Sequence, residues 1–166
     1  MQNVIYWAAP VFTQAERIWN RMCAEELEQY GYQVILPQDE AKQFTTPCGI
    51  GIDLDAVAQH CFRQAQETPI LVAILDGADS DSGMSVEVGA KLASMKATGE
   101  GIAIGVRTDF RGHEHRRTNA MFSLLDSILY RGSFAEDVEG LCREIDETIR
   151  HVQVTKRREE LNAEVQ

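Results

Sequence analysis

No apolar run in this chain approaches the roughly 18 residues of a membrane-crossing helix, so no membrane partner is expected. The N-terminus, "MQNVIYWAAP", has neither a basic segment nor a long apolar one and does not read as a secretory signal. Positive charge is scarce: Lys and Arg number 16 against 26 Asp and Glu, a net charge of -10. The densest basic stretch, "KRR" at 156–158, runs straight into Glu159 and Glu160 and reads as a solvated helix end. Nucleic acid is therefore not expected as a polymeric partner. Cys23, Cys48, Cys61 and Cys142 are scattered, without C-x-x-C or zinc-finger spacing. That pattern fits a reduced, cytoplasmic protein rather than a disulfide framework.

Nucleotide signatures are missing as well. There is no G-x-x-x-x-G-K-[ST], and "GIG" at 49–51 lacks the third glycine of a dinucleotide fingerprint because Leu54 stands in its place. The turn "AAPVFT" has one hydroxyl and no glycine, which excludes a flavodoxin-type phosphate loop. His113 and His115 flank Glu114, but no third ligand is near in sequence, so the segment reads as a solvated loop. No metal or other cofactor is expected.

What is present is a chain of 166 residues, 44% hydrophobic, long enough for one domain over 1–166 with a full core. Short apolar runs at 3–9, 32–37, 69–75, 101–107 and 127–131 read as strands, with helical segments between them. Thr13 and Glu16 form a capping box that opens a helix to about residue 30, with Ile18, Met22 and Leu27 at roughly helical spacing. Further helices are expected over about 53–66, over 82–96, in a short piece after Asn119, and from a second capping box, Ser133 and Glu136, past His151 into a charged tail. Strands apolar throughout and alternating with helices imply a parallel sheet covered on both faces. The expected fold is α/β: a flavodoxin-like, doubly wound, five-stranded parallel sheet with helices on both faces. Ligands collect at the carboxyl ends of such strands.

One of those ends carries "DGADSDSGMSVEVGAK", residues 76–91, which crowds four acidic residues and three glycines behind the most apolar strand. Like charges brought together are costly unless a ligand, a cation or a shared proton relieves them. Asp79 and Asp81 suit a surface turn. Glu87 has two readings: an exposed ion pair with Lys91 at i,i+4, worth a few tenths of a kcal/mol, or a functional carboxylate. Met84, Val88, Leu92 and Met95 mark the buried helix face, and Glu87 borders it. The helix macrodipole is expected to lower its pKa and keep it ionised, as a nucleophile requires.

"IYWAAPVFTQAERIWN", "ILPQDE", "AILDGADSDSGMSVEVGAKLA" and "RTDFR…TNAMF" together resemble, in order and over most of the chain, the nucleoside 2-deoxyribosyltransferase family. The resemblance implies a two-step exchange at the anomeric carbon of a 2'-deoxyribonucleoside, with nucleosides and free nucleobases as partners. The family's nucleophilic glutamate falls on Glu87 and the tyrosine that positions it on Tyr6. The aspartate that holds the sugar hydroxyls falls on Asp81, with Ser82 and Gly83 in the same substrate-binding block. Phe12 would pack beside the base, and Gln38 would touch its edge. Asn119, with Met121 beside it, matches the asparagine that reaches into a neighbouring subunit's site. A homo-oligomer follows, with a dimer as its unit and a tetramer or hexamer also compatible.

The sequence departs from the family where an aspartate that exchanges a proton with the base is often found: Cys61 stands there, beside His60, and neither is read as a drop-in substitute. Asp76 becomes the first candidate for the acid, with Asp79 behind it. Two other functions remain open at this stage. A nucleotide or nucleoside N-glycoside hydrolase could use the same glutamate, with Ser82, Ser85, Arg107 and Arg111 meeting a 5'-phosphate. A non-catalytic nucleoside-binding module is the other.

Overall fold

The apolar, β-branched runs do form strands: β1 (Val4–Ala8), β2 (Gln33–Ile35), β3 (Ile70–Ile74), β4 (Ile102–Arg107) and β5 (Ser127–Tyr130). Between them lie α1 (Gln14–Gln29), α2 (Pro37–Glu40), α3 (Leu54–Glu67), α4 (Ser82–Thr98) and α5 (Val138–Glu164), with 3₁₀ turns at Ala41–Phe44 and Ala120–Leu124. The structure is a computed structural model and describes residues 3–45, 51–109, 118–131 and 137–164. The second capping box, Cys48, Gly49, Arg111 and the His113–His115 segment lie outside the described residues. No described helix is long and apolar enough to cross a membrane.

All four strand pairings are parallel, in the order β2-β1-β3-β4-β5. This is the expected flavodoxin-like, doubly wound arrangement. Its connections reverse direction between β1 and β3, so a crevice opens at the carboxyl ends of those two strands. Successive side chains on a strand point to opposite faces. Ile5, Trp7, Ile70, Val72, Ile102 and Ile104 therefore pack under α1 and α5, beside Cys23, Leu27, Ile145 and Ile149. Tyr6, Ala8, Leu71, Ala73 and Ala103 pack under α3 and α4, beside Ala65, Met84 and Val88. The alternation along β1 thus decides which helix the Tyr6 phenol can reach.

The Thr13 capping box is complete, with both reciprocal bonds made. The inner face of α1, however, is Asn20, Cys23, Ala24 and Leu27, while Ile18 and Met22 are about half exposed. Residues 20, 23, 24 and 27 keep i, i+3, i+4, i+7 spacing, and Ile18 and Met22 fall well off that stripe. The segment after Asn119 is a 3₁₀ turn rather than an α-helix; it buries Phe122 and Leu125 and leaves Met121 and Leu124 outside. α5 does run through the charged tail, and Lys156 fastens it by bonding Gly101 O and Asp126 Oδ1, each at 2.8 Å.

Candidate active site

The loop after β3 begins with a turn that only glycine accommodates. Gly77 has φ +111, and a Cβ there would lie 2.8 Å from the carbonyl oxygen of Asp79. Two devices tie this turn to the end of β4. Arg107 donates through Nη1 to Leu75 O (2.5 Å) and through Nη2 to Gly77 O (3.0 Å). Asp76 accepts from the Thr108 and Asp109 amides at 2.6 and 2.9 Å and from the Thr108 hydroxyl at 2.5 Å. The chain then reaches Asp81, whose side chain caps α4 by accepting from the Met84 amide at 2.8 Å. Ser82 and Gly83 follow, exposed, in the first turn of α4. A Cβ at Gly83 would approach Asp81 Oδ1 to 3.2 Å, so the glycine leaves the cap room.

A helix anchored in this way carries Glu87 one turn further along, over the carboxyl end of β1. Tyr6 donates its hydroxyl to Glu87 Oε1 at 2.7 Å, a contact between residues 81 positions apart. The Cys61 thiol of α3 also lies beside that hydroxyl. Burial pushes the Glu87 carboxyl up to about 7; the Tyr6 hydrogen bond opposes this, and the negative charge of Asp81 adds to it. The expected lowering by the macrodipole is thus reversed, because desolvation of a half-buried carboxylate outweighs a dipole worth a fraction of a kcal/mol. Burial and then the Glu87 charge raise the Tyr6 phenol, so it stays a donor.

The exposed ion pair with Lys91 does not form. Lys91 is 2% exposed and donates to Thr68 O, and burial lowers its pKa to about 8. One helical turn separates the two residues, yet they serve opposite ends of α4.

The other candidates divide into groups. Tyr6, Asp81 and Glu87 come together. Gln38 faces the loop after β1, donating to Arg17 O at 2.9 Å and accepting from Asn20 Nδ2 at 3.3 Å. Arg17 in turn holds Val11 O and Phe12 O, which leaves the Phe12 ring 76% exposed above the β1 end. Asn119 caps its own turn through the Met121 amide at 3.0 Å. Among the described residues, neither Asn119 nor Met121 bonds to Tyr6, Asp81 or Glu87. The Asp76 carboxylate is engaged by three donors, an arrangement that fits a loop anchor better than a proton donor. Sequence reasoning gave no role to Glu40 or His60, which pair at 2.9 Å, with the His60 ring against Phe44 at 5.1 Å. The sequence signals for them were the place of Glu40 at the carboxyl end of β2 and that of His60 beside Cys61, where the family often has its proton-exchanging aspartate.

Fold and site together define a doubly wound α/β protein with a phenol-held carboxylate at the crevice where its connections reverse. The chain belongs to the nucleoside 2-deoxyribosyltransferase family, whose model matches residues 5–152. Among solved structures it is similar to a conserved protein from Enterococcus faecalis V583, at 22% identity and TM-score 0.66 over 89% of this chain and 99% of that one. It is also similar to the Clostridium botulinum CMP N-glycosidase BcmB, at 12% identity and TM-score 0.56 over 86% of this chain and 98% of that one. No curated protein matches it. Membership of that family supports, as the general kind of reaction, group transfer at an N-glycosidic bond.

Proposed function

We propose that this protein transfers 2-deoxyribose from one nucleobase to another through a covalent deoxyribosyl ester on Glu87. The observation that carries this reading is the Tyr6–Glu87 hydrogen bond at the crevice between β1 and β3. A carboxylate capturing an oxocarbenium-like carbon on the face opposite the leaving group is the retaining solution to glycosidic exchange. The Tyr6 hydroxyl occupies one carboxylate oxygen, Oε1, and so directs the other toward the anomeric carbon. With a pKa near 7, Glu87 is poised between its forms at neutral pH: the ionised form attacks C1', its raised basicity strengthens that attack, and the same carboxylate leaves when the second base displaces it. Asp81, whose carboxylate caps α4 beside Glu87, stands where a sugar hydroxyl could also bond.

Among the described residues, two of the groups expected to meet the 5'-phosphate of a nucleotide are already engaged. Arg107 is buried and donates to two carbonyls, and the Ser85 hydroxyl donates to Asp81 O at 2.8 Å. That supports a nucleoside as substrate over a nucleotide.

The test is product analysis of the purified protein given a 2'-deoxynucleoside and a second free base. A new nucleoside should form, and acid-quenched protein should carry a deoxyribosyl adduct on the peptide containing Glu87. Glu87→Gln should show neither. Free deoxyribose without any new nucleoside would instead make the protein a hydrolase, and an adduct on another residue would remove Glu87 from its role.

A further inference from the structure

A deoxyribosyl exchange needs a proton for the departing base, and the structure holds a second pair of groups suited to it. His60, on α3, has a side chain 12% exposed; its Nε2 meets Glu40 Oε2 at 2.9 Å, and its ring leans on Phe44. Glu40 lies at the end of α2, directly after β2, so the pair stands at the same carboxyl edge of the sheet as Tyr6 and Glu87. The two pairs share a neighbour. The Cys61 thiol borders the Tyr6 hydroxyl and feels the negative charge of both Glu87 and Glu40. With Nε2 held by a carboxylate, Nδ1 is the nitrogen left to face a ligand.

We infer that His60, oriented by Glu40, is the catalytic acid and base for the nucleobase, and that Glu40 is its positioning residue. The inference rests on the transferase reading given above. In the first half-reaction the C1'–N bond breaks, its electron pair stays on the base, and the imidazolium proton moves to a base nitrogen. The Glu87 carboxylate meanwhile forms the C1'–O bond. In the second half-reaction the neutral imidazole takes the proton from the incoming base as its nitrogen attacks C1', and the ester bond breaks back to carboxylate. Around the pair, Gln43 Nε2 donates to the same Glu40 oxygen at 3.1 Å, Phe44 lies against the ring, and Cys61 on α3 feels the charges of Glu87 and Glu40, while Asp39 beside Glu40 is paired with Arg21 and Lys42.

The bland reading is that the pair merely fastens α2 and its 3₁₀ turn to α3. Leaving-group dependence separates the two. Wild type, His60→Gln and Glu40→Gln would each be assayed on 2'-deoxyguanosine and on 7-methyl-2'-deoxyguanosine, whose cationic base departs without a proton. For an enzyme that uses pyrimidines, the pair would be 2'-deoxyuridine and 5-fluoro-2'-deoxyuridine. General acid catalysis contributes about 10²–10⁴-fold, so His60→Gln should lose roughly that much on the ordinary base and little on the activated one. Glu40→Gln should show the same pattern more weakly, and it serves as the reporter should His60→Gln fold poorly. Equal losses on both substrates, or no loss on either, would overturn the assignment while leaving Glu87 untouched. Wild type inactive on every substrate would overturn the transferase reading and this inference with it.

Discussion

At the scale of single residues, Glu87 concentrates the physics. Its carboxyl is raised to about 7 by burial, so the fold favours the neutral form. The stability tied to this group is therefore fully present below the ordinary value of 4.5 and is lost as pH rises through 7. Glu87→Gln removes a buried charge and should stabilise the fold at pH 8 by at most about 3 kcal/mol, seen as a higher melting temperature, with the gain vanishing toward pH 5. Thermal unfolding of both proteins across that range checks it; a destabilised Glu87→Gln at pH 8 would mean that the anion is compensated. Tyr6 acts in the other direction, since its hydrogen bond lowers the Glu87 pKa. Tyr6→Phe should therefore move the acid limb of the pH–rate profile to higher pH and depress activity most near neutrality. A limb that stays in place would separate Tyr6 from the nucleophile's ionisation.

At the scale of elements, the carboxyl ends of β3 and β4 are joined by Asp76 and Arg107, and that junction aims α4. Hydrogen bonds to a charged group are each worth about 1.5–3 kcal/mol. Asp76→Ala breaks three of them, but all are part-buried and water can take up the released donors, so the cost in denaturant unfolding should be roughly 2–4 kcal/mol, below the simple sum. Asp76→Asn retains an oxygen for the two amides, so it should keep most of the stability and most of the activity. An Asp76→Asn protein of unchanged stability that has lost exchange would return Asp76 to proton chemistry. Most of the secondary structure was legible because its elements are written locally: a capping box for α1, an unbroken apolar run for β3; α2 and the 3₁₀ turn after it, read as a polar loop, were not. The phase of α1 was not, because Ile18 and Met22 satisfy helical spacing as well as Cys23 and Leu27 do, and only the docking of α1 beside α5 chooses between the stripes.

At the scale of the molecule, the Ala120–Leu124 turn sends Phe122 inward and leaves Met121 and Leu124 at 68% and 60% exposure. Such apolar surface beside Asn119 is where a second copy would complete the site, and the active unit is proposed to be a homo-oligomer. Sedimentation should find a dimer or larger. Glu87→Ala and Asn119→Ala proteins, each inactive alone, should regain partial activity when their subunits exchange, because one hybrid site would hold both intact residues. A fully active monomer, or no recovery after proven exchange, would confine the site to one chain.

Periodicity and capping are properties of neighbouring residues, so the sequence by itself determined the order of the strands and long helices, the parallel doubly wound sheet and the strand end where the acidic motif lies. It also marked Glu87 as chemically distinct and Tyr6 as its partner through resemblance. The tertiary structure alone decided what those groups feel. Desolvation depends on what surrounds an atom in three dimensions, and so Glu87 is raised rather than lowered. Lys91 turns to the backbone of Thr68 at the opposite end of the sheet, and Asp76 is engaged by the β4 loop. His60 meets Glu40 across 20 positions of sequence, because α3 packs against a turn whose chain pattern says nothing about it.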